Sequence, residues 1–180
     1  AEILKEIEAV DYFDVKMGDF DADLKSGNIK YISDDVLTAF IEKVKKQSVV
    51  TEDINRDMAI VYTPLNGTGR VPMTRALKEA GFTNITLVKE QAMPNGNFPT
   101  CPFPNPEYRE AMQLGLDYCK KVGADILLAT DPDADRCGVG VKTKDSDYRL
   151  LTGNEIGLLL FDFICSQRIK HGTMPKHPVM

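Results

Sequence analysis

The stretch ILLATDPDADRCGVGV, Ile126 to Val141, sets aspartates at 131, 133 and 135 between two apolar runs. Three carboxylates crowded on one short turn repel each other, and they stay ionised together only if a cation offsets that repulsion. Their hard oxygens suit Mg²⁺ or Mn²⁺, with the remaining coordination left to water or a phosphate oxygen. Alternate spacing in a curved turn aims Asp131, Asp133 and Asp135 at one centre. Arg136 follows at once and offers a fixed fork of donors that matches a phosphate. A cation beside an arginine suits phosphoryl transfer, which runs on charge neutralisation and positioning. The plainer reading is a solvated acidic turn, since Asp and Pro are common turn residues. The apolar flanks and Arg136 weigh against it. A calcium EF-hand fails outright: Arg136 stands where that loop needs Gly, and Lys142 where it needs a bidentate Glu.

Such a turn must be held by something, and the flanking pattern is that of a layered α/β domain. MAIVYT from Met58 is a short apolar, β-rich run that ends in the turn residues of PLNGTG. The next segment, to Gly81, reads as a helix with Thr68 as cap and Gly81 as stop. NITLV (84–88) is a second strand, and a helix entered through Pro106 follows a long, proline-rich loop. DILLAT and RCGVGVK are the third and fourth strands, TKDSD a turn, and TGNEIGLLLFDFICSQRI a last helix. Thr152 and Glu155 give that helix a capping box. Strands alternating with helices predict parallel pairing. The loop between the third and fourth strands is too short for a parallel crossover, so that pair is antiparallel. The expected fold is α/β: a three-layer αβα domain with a mixed, mostly parallel four-stranded sheet. Helical spacing recurs over Ile3–Val10 and Val36–Val44, with a polar connector over 11–32 and a loop over 48–57.

Bulk properties narrow the function classes. The chain has 180 residues, 43% hydrophobic and 27% charged, with net charge −5 and no basic block. That disfavours nucleic acid or an anionic membrane as partner. No apolar run approaches the ~20 residues that span a bilayer. Cys101, Cys119, Cys137 and Cys165 form no C-x-x-C pair, so reduced thiols and a cytoplasmic location are expected.

ATDPDADR, with TPLNGTG upstream, NFPTCPFPNPE between them and LTGNEIG downstream, resembles the second domain of the α-D-phosphohexomutases, the phosphoglucomutase/phosphomannomutase superfamily. The four ordered motifs cover Thr63 to Gly157. The resemblance implies a mutase that interconverts the 1-phospho and 6-phospho forms of a sugar such as glucose or mannose. A phosphoserine in the first domain donates its phosphoryl group and is later regenerated. It implies Mg²⁺ on Asp131, Asp133 and Asp135, and Arg136 beside the transferring phosphate. Partners would be a phosphosugar substrate and the other domains of the same polypeptide. Residues 1–55 would then be a helical lead-in from a preceding domain, 56–170 the αβα domain II, and 171–180 a linker toward a third domain.

The departures are equally specific. None of Ser26, Ser33, Ser48, Ser146 and Ser166 lies in the family's T-A-S-H-N-P context, and no G-E-x-S-G-like sugar loop is present. The expectation is a metal-site domain of a larger enzyme, incomplete for catalysis alone. The rival is a haloacid-dehalogenase-type phosphatase with Asp131 as nucleophile. That class prefers Thr or Val at the third alternate position, where Asp135 stands. PLNGTGR has two readings, a phosphate cradle at a helix start and a tight strand-to-helix turn, and the turn is preferred. FPTCPFPNPE is either a partner-domain contact or a stiffened surface loop. Cys137, beside Arg136, is a candidate nucleophile on position alone, with strand packing the preferred reading, and Glu155 is read as a cap rather than an acid.

Overall fold

The computed structural model describes residues 2–14, 16–50 and 54–179. Part of the loop expected over 48–57, residues 51–53, lies outside the described residues. The chain divides into two compact units, Ala1–Val36 and Leu37–Met180. In the first, α1 (Glu2–Glu8) and α2 (Phe20–Ser26) bury no residue. The segment 11–32, expected as a connector, thus contains a helix. Asp19 caps it by accepting the Ala22 N–H at 2.8 Å, and Gly27 ends it in the left-handed region.

α3 (Asp34–Lys45) leads into the second unit, where Lys45 and Arg75 both pair with Glu79. Next come β1 (Ile60–Thr63), α4 (Arg70–Glu79), β2 (Ile85–Leu87), α5 (Arg109–Val122), β3 (Ile126–Thr130), β4 (Cys137–Lys142), β5 (Tyr148–Leu151) and α6 (Gly153–Lys170). Together the strands form one sheet in the order β2-β1-β3-β4-β5. β1 pairs in parallel with both β2 and β3, while β3–β4 and β4–β5 are antiparallel. The mixed α/β sheet is as expected, with a fifth strand added. TKDSD is the turn of the β4–β5 hairpin, closed by the Thr143 N–H on the Asp147 carbonyl at 2.8 Å.

The strand order explains the layering. From β1 the chain crosses to β2 on one side, then returns past β1 to β3 on the other. Right-handed crossovers in opposite directions put α4 and α5 on opposite faces. Strand residues sort accordingly. Val61, Leu127 and Ala129 pack with Met112, Leu116 and Cys119 of α5 and with Tyr148 of β5. Tyr62 and Thr130 point the other way, toward Gly69 at the start of α4. Each fully buried aliphatic side chain here contributes about 1.5–3 kcal/mol. Gly115 lets α5 lie close on β3, because a Cβ there would come within 2.7 Å of Leu127. Burial pushes the Cys119 thiol up to about 12, so it stays neutral in this core.

Candidate metal centre

The switch in crossover direction opens a crevice at the carboxyl ends of β1 and β3, where ligands bind in open α/β sheets. Two loops meet there: 64–69 after β1, and 131–136 after β3. Both expected site features thus share one sheet edge.

Asp131 is 5% exposed and is anchored from within its own loop. Its Oδ1 accepts the Arg136 N–H at 2.9 Å, and its backbone carbonyl accepts the Ala134 N–H at 3.1 Å. Ala134, at φ +62°, takes the left-handed turn that folds the loop back on itself. The effect is to swing Asp133 and Asp135 round to the Asp131 carboxylate. Oxygens of all three lie within 4.8 Å of one another, with Asp133 and Asp135 exposed. The Arg136 guanidinium reaches over the same group, with Nε 3.5 Å from Asp131 and 3.9 Å from Asp135. It also lines a cavity of ≈ 360 Å³ with Glu107, Thr152 and Asn154.

Electrostatics bears out the crowding. The Asp135 carboxyl is held above its ordinary value, first by the charge of Asp133 and then by Asp131, and nearby Arg136 only partly offsets this. An exposed carboxyl that its neighbours still hold above its ordinary value marks a turn short of positive charge. Three hard oxygen donors within mutual reach therefore fit a small divalent cation. Among the described residues, this is the group of acidic, His or Cys side chains close enough to share one.

The neighbouring loop does a different job from the cradle considered above. The N–H groups of Asn66, Gly67 and Thr68 are already bonded to the carbonyls of Gln91, Pro64 and Pro132. None of these three is left for a phosphate. Thr68 is not the α4 cap either: that place is Gly69, without a side-chain bond, and the Thr68 hydroxyl donates to the Pro132 carbonyl at 3.1 Å. Gly67 and Gly69 are glycines because other groups occupy their Cβ positions. At Gly67 a Cβ would sit 2.2 Å from Pro132 Cα; at Gly69, 2.5 Å from Thr130 Oγ1 and 2.6 Å from the Tyr62 hydroxyl. Below them, the buried Tyr62 and Thr130 hydroxyls bond at 2.9 Å, and burial pushes the Tyr62 phenol up to about 12.

The proline-rich loop is anchored rather than free. Gln91, fully buried, accepts from the Thr63 hydroxyl at 2.7 Å and donates to Thr100 at 3.1 Å. Cys101 packs with Leu65 and Ala111. Glu155 is a cap as expected, since its carboxylate accepts the Thr152 N–H at 2.8 Å and the Thr152 hydroxyl accepts the Glu155 N–H at 3.2 Å. Cys137 is exposed as a residue on β4, yet its thiol is partly buried and burial holds it above its ordinary value. Sequence reading also missed the grip of 64–69 on the aspartate turn. The NGTG run was its only visible trace.

Comparison with known proteins agrees with this architecture. The sequence model described as phosphoglucomutase/phosphomannomutase, alpha/beta/alpha domain II, matches residues 38–144. A phosphoglucomutase of Staphylococcus saprophyticus is 41% identical over 146 residues, 81% of this chain and 26% of that protein. A phosphomannomutase of Mycoplasmoides pirum is 37% identical over 162 residues, 87% of this chain and 29% of that protein. The crystal structure of a phosphoglucomutase/phosphomannomutase family protein from Burkholderia thailandensis superimposes with a TM-score of 0.60 at 24% identity, covering 74% of this chain and 26% of that one. The chain thus spans under a third of the length of these relatives. It belongs to the phosphoglucomutase/phosphomannomutase family, and the matched residues are that family's alpha/beta/alpha domain II.

Proposed function

We propose that this chain is the metal-binding domain of a phosphosugar mutase, an isomerase that interconverts hexose 1-phosphate and 6-phosphate through an enzyme phosphoserine lying outside residues 1–180. The observation that carries the reading is the convergence of Asp131, Asp133 and Asp135 within 4.8 Å at the carboxyl end of β3, in a family domain II. Mg²⁺ held there would neutralise charge on a transferring phosphoryl group. Asp131 is the fixed member of the set, buried and tied by the Arg136 N–H. Asp133 and Asp135 complete it from the exposed side. Arg136 binds and orients phosphate, with a fork of N–H donors that keeps its charge at any working pH. In the reaction, one phosphoryl group passes from the phosphoserine to a free sugar hydroxyl. The serine is then rephosphorylated from the other position, so no phosphate is released.

The phosphatase alternative asks Asp131 to attack phosphorus. Its oxygens are instead taken up by the Arg136 N–H and face the guanidinium at 3.5 Å, which suits a ligand better than a nucleophile. Residues 56–170 would serve as domain II, 1–55 as the lead-in and 171–180 as the way out, in a cytoplasmic enzyme. Exposed apolar side chains on α6, among them Leu158, Leu159, Leu160 and Phe161, support other domains of the same polypeptide as partners. No helix among the described residues is long and apolar enough to cross a membrane.

The test is Asp133→Asn in a polypeptide of mutase length that carries this segment. Mg²⁺-dependent conversion of glucose 1-phosphate to glucose 6-phosphate is expected to fall at least tenfold, about 1.4 kcal/mol. Unchanged turnover would remove the metal role. Phosphate release from the same substrate would instead support the phosphatase.

A further inference from the structure

We propose that Thr68 is a positioning residue for the aspartate turn, an inference that rests on the metal-centre reading above. Pro132 lies between two of the three aspartates and has no N–H of its own, so its carbonyl is the polar main-chain group by which the turn can be held at that point. Thr68 supplies both donors to it. Its backbone N–H lies 2.8 Å from the Pro132 oxygen, and its hydroxyl lies 3.1 Å from the same atom. Gly67 is what lets the two loops come this close, because Pro132 Cα, O and C all lie within 2.6 Å of where a Cβ would stand.

The hold matters for where the carboxylates point. Asp131 follows directly from β3 and is buried, whereas Asp133 and Asp135 lie beyond Pro132 on an exposed turn with a left-handed residue, Ala134. A rotation about the Pro132 Cα–C bond would swing both away from Asp131. Gripping the Pro132 carbonyl from the β1 side opposes that rotation. Because the Thr68 side chain is exposed, its loss removes little buried surface and leaves the core intact. The hydroxyl therefore acts on the turn rather than on the fold.

The experiment compares Thr68→Val, which keeps shape and N–H but loses the donor, with Thr68→Ser, which restores it. Both are made in this chain, and Mn²⁺ is the probe, followed by electron paramagnetic resonance. Thr68→Val is expected to weaken Mn²⁺ binding about tenfold, the scale of an outer-shell partner. Thr68→Ser should stay within about twofold of the parent, and melting temperature should barely move in either. A second readout needs no metal: hydrogen exchange at the Arg136 amide, which donates to Asp131, should speed up in Thr68→Val and not in Thr68→Ser. If Thr68→Val does not fold, Thr68→Ala carries the same comparison.

Parent-like Mn²⁺ affinity in Thr68→Val overturns the proposal, as does equal weakening in Thr68→Ser. If the parent chain binds Mn²⁺ no better than an Asp131→Asn control, the metal reading itself falls. The Arg136 amide then decides alone whether Thr68 holds the turn, and unchanged exchange overturns that too.

Discussion

At the scale of single residues, the aspartate turn is a place where charge is stored against itself. The Asp135 carboxyl is raised by Asp133 first and Asp131 second, so in the metal-free chain its ionised form is destabilised relative to a free carboxylate. The sign follows from linkage. A carboxyl whose folded value lies above the unfolded one contributes stability that is full below the unfolded value and is lost as pH rises through the folded value. Asp135→Asn is therefore expected to stabilise the metal-free chain against urea at pH 7, with the gain vanishing below the ordinary value of 3.8. With Mn²⁺ or Mg²⁺ present the order should reverse, because the carboxylate then has a cation to ligate. A less stable metal-free Asp135→Asn at neutral pH would mean that the Arg136 contact, not repulsion, dominates. Arg136 answers a separate question. Arg136→Lys keeps the charge but loses the planar fork, so turnover in a full-length mutase should drop by one to three orders of magnitude, about 1.4–4 kcal/mol. Steady-state rates that match the parent would reduce the arginine to a salt-bridge partner.

At the scale of elements, close approaches decide what is tolerated. Gly138 on β4 pairs with Ala129, and a Cβ there would lie 2.9 Å from the Pro106 carbonyl oxygen and 3.1 Å from Met112 Cε. Backbone cannot yield as a flexible side-chain tip can. Gly138→Ala should therefore cost about 1–3 kcal/mol in chemical denaturation, and an unchanged midpoint would show that the proline-rich loop does not rest firmly on the sheet. Such approaches also mark the limit of what the sequence discloses. The D-x-D-x-D cluster, Arg136 and the Thr152–Glu155 capping box were legible because each is complete within a few consecutive residues. The reason for Gly67 was not, since Pro132 becomes its neighbour only once β1 and β3 lie side by side in register. β5 was passed over because YRLL is only four residues long, although a polar turn between two β-rich runs is itself a hairpin signal. Thr68 was misread for a related reason. A threonine near a helix start suits a cap, and only the tertiary structure reveals that its hydroxyl is engaged elsewhere.

At the scale of the whole molecule, folding and catalysis are expected to separate. Leu37–Met180 holds a complete five-stranded sheet whose buried residues on one face form a continuous core with α5, while Tyr62 and Thr130 are buried on the other. That is enough for independent folding, so the chain should unfold in urea as one cooperative transition of this unit. Phosphoryl transfer asks for more. It depends on holding the donor phosphate, the sugar and the cation in one geometry, and loss of any partner forfeits the advantage of positioning. Here the serines do not sit in the family's phosphoserine context, and the chain spans 26% of the S. saprophyticus phosphoglucomutase. The exposed apolar residues of α6 point the same way, since a helix with no buried residue adds little to a fold unless something covers it. The chain alone is therefore expected to convert no glucose 1-phosphate in a coupled assay with Mg²⁺ and a bisphosphate activator, while its circular dichroism and cooperative melt remain those of a folded domain. Turnover at rates typical of an enzyme, 1 s⁻¹ or roughly above, would overturn both the division of labour and the assignment of Asp131, Asp133 and Asp135 as metal ligands rather than reacting groups. An inactive chain that also failed to fold would decide neither, which is why the melt and the assay belong on the same sample.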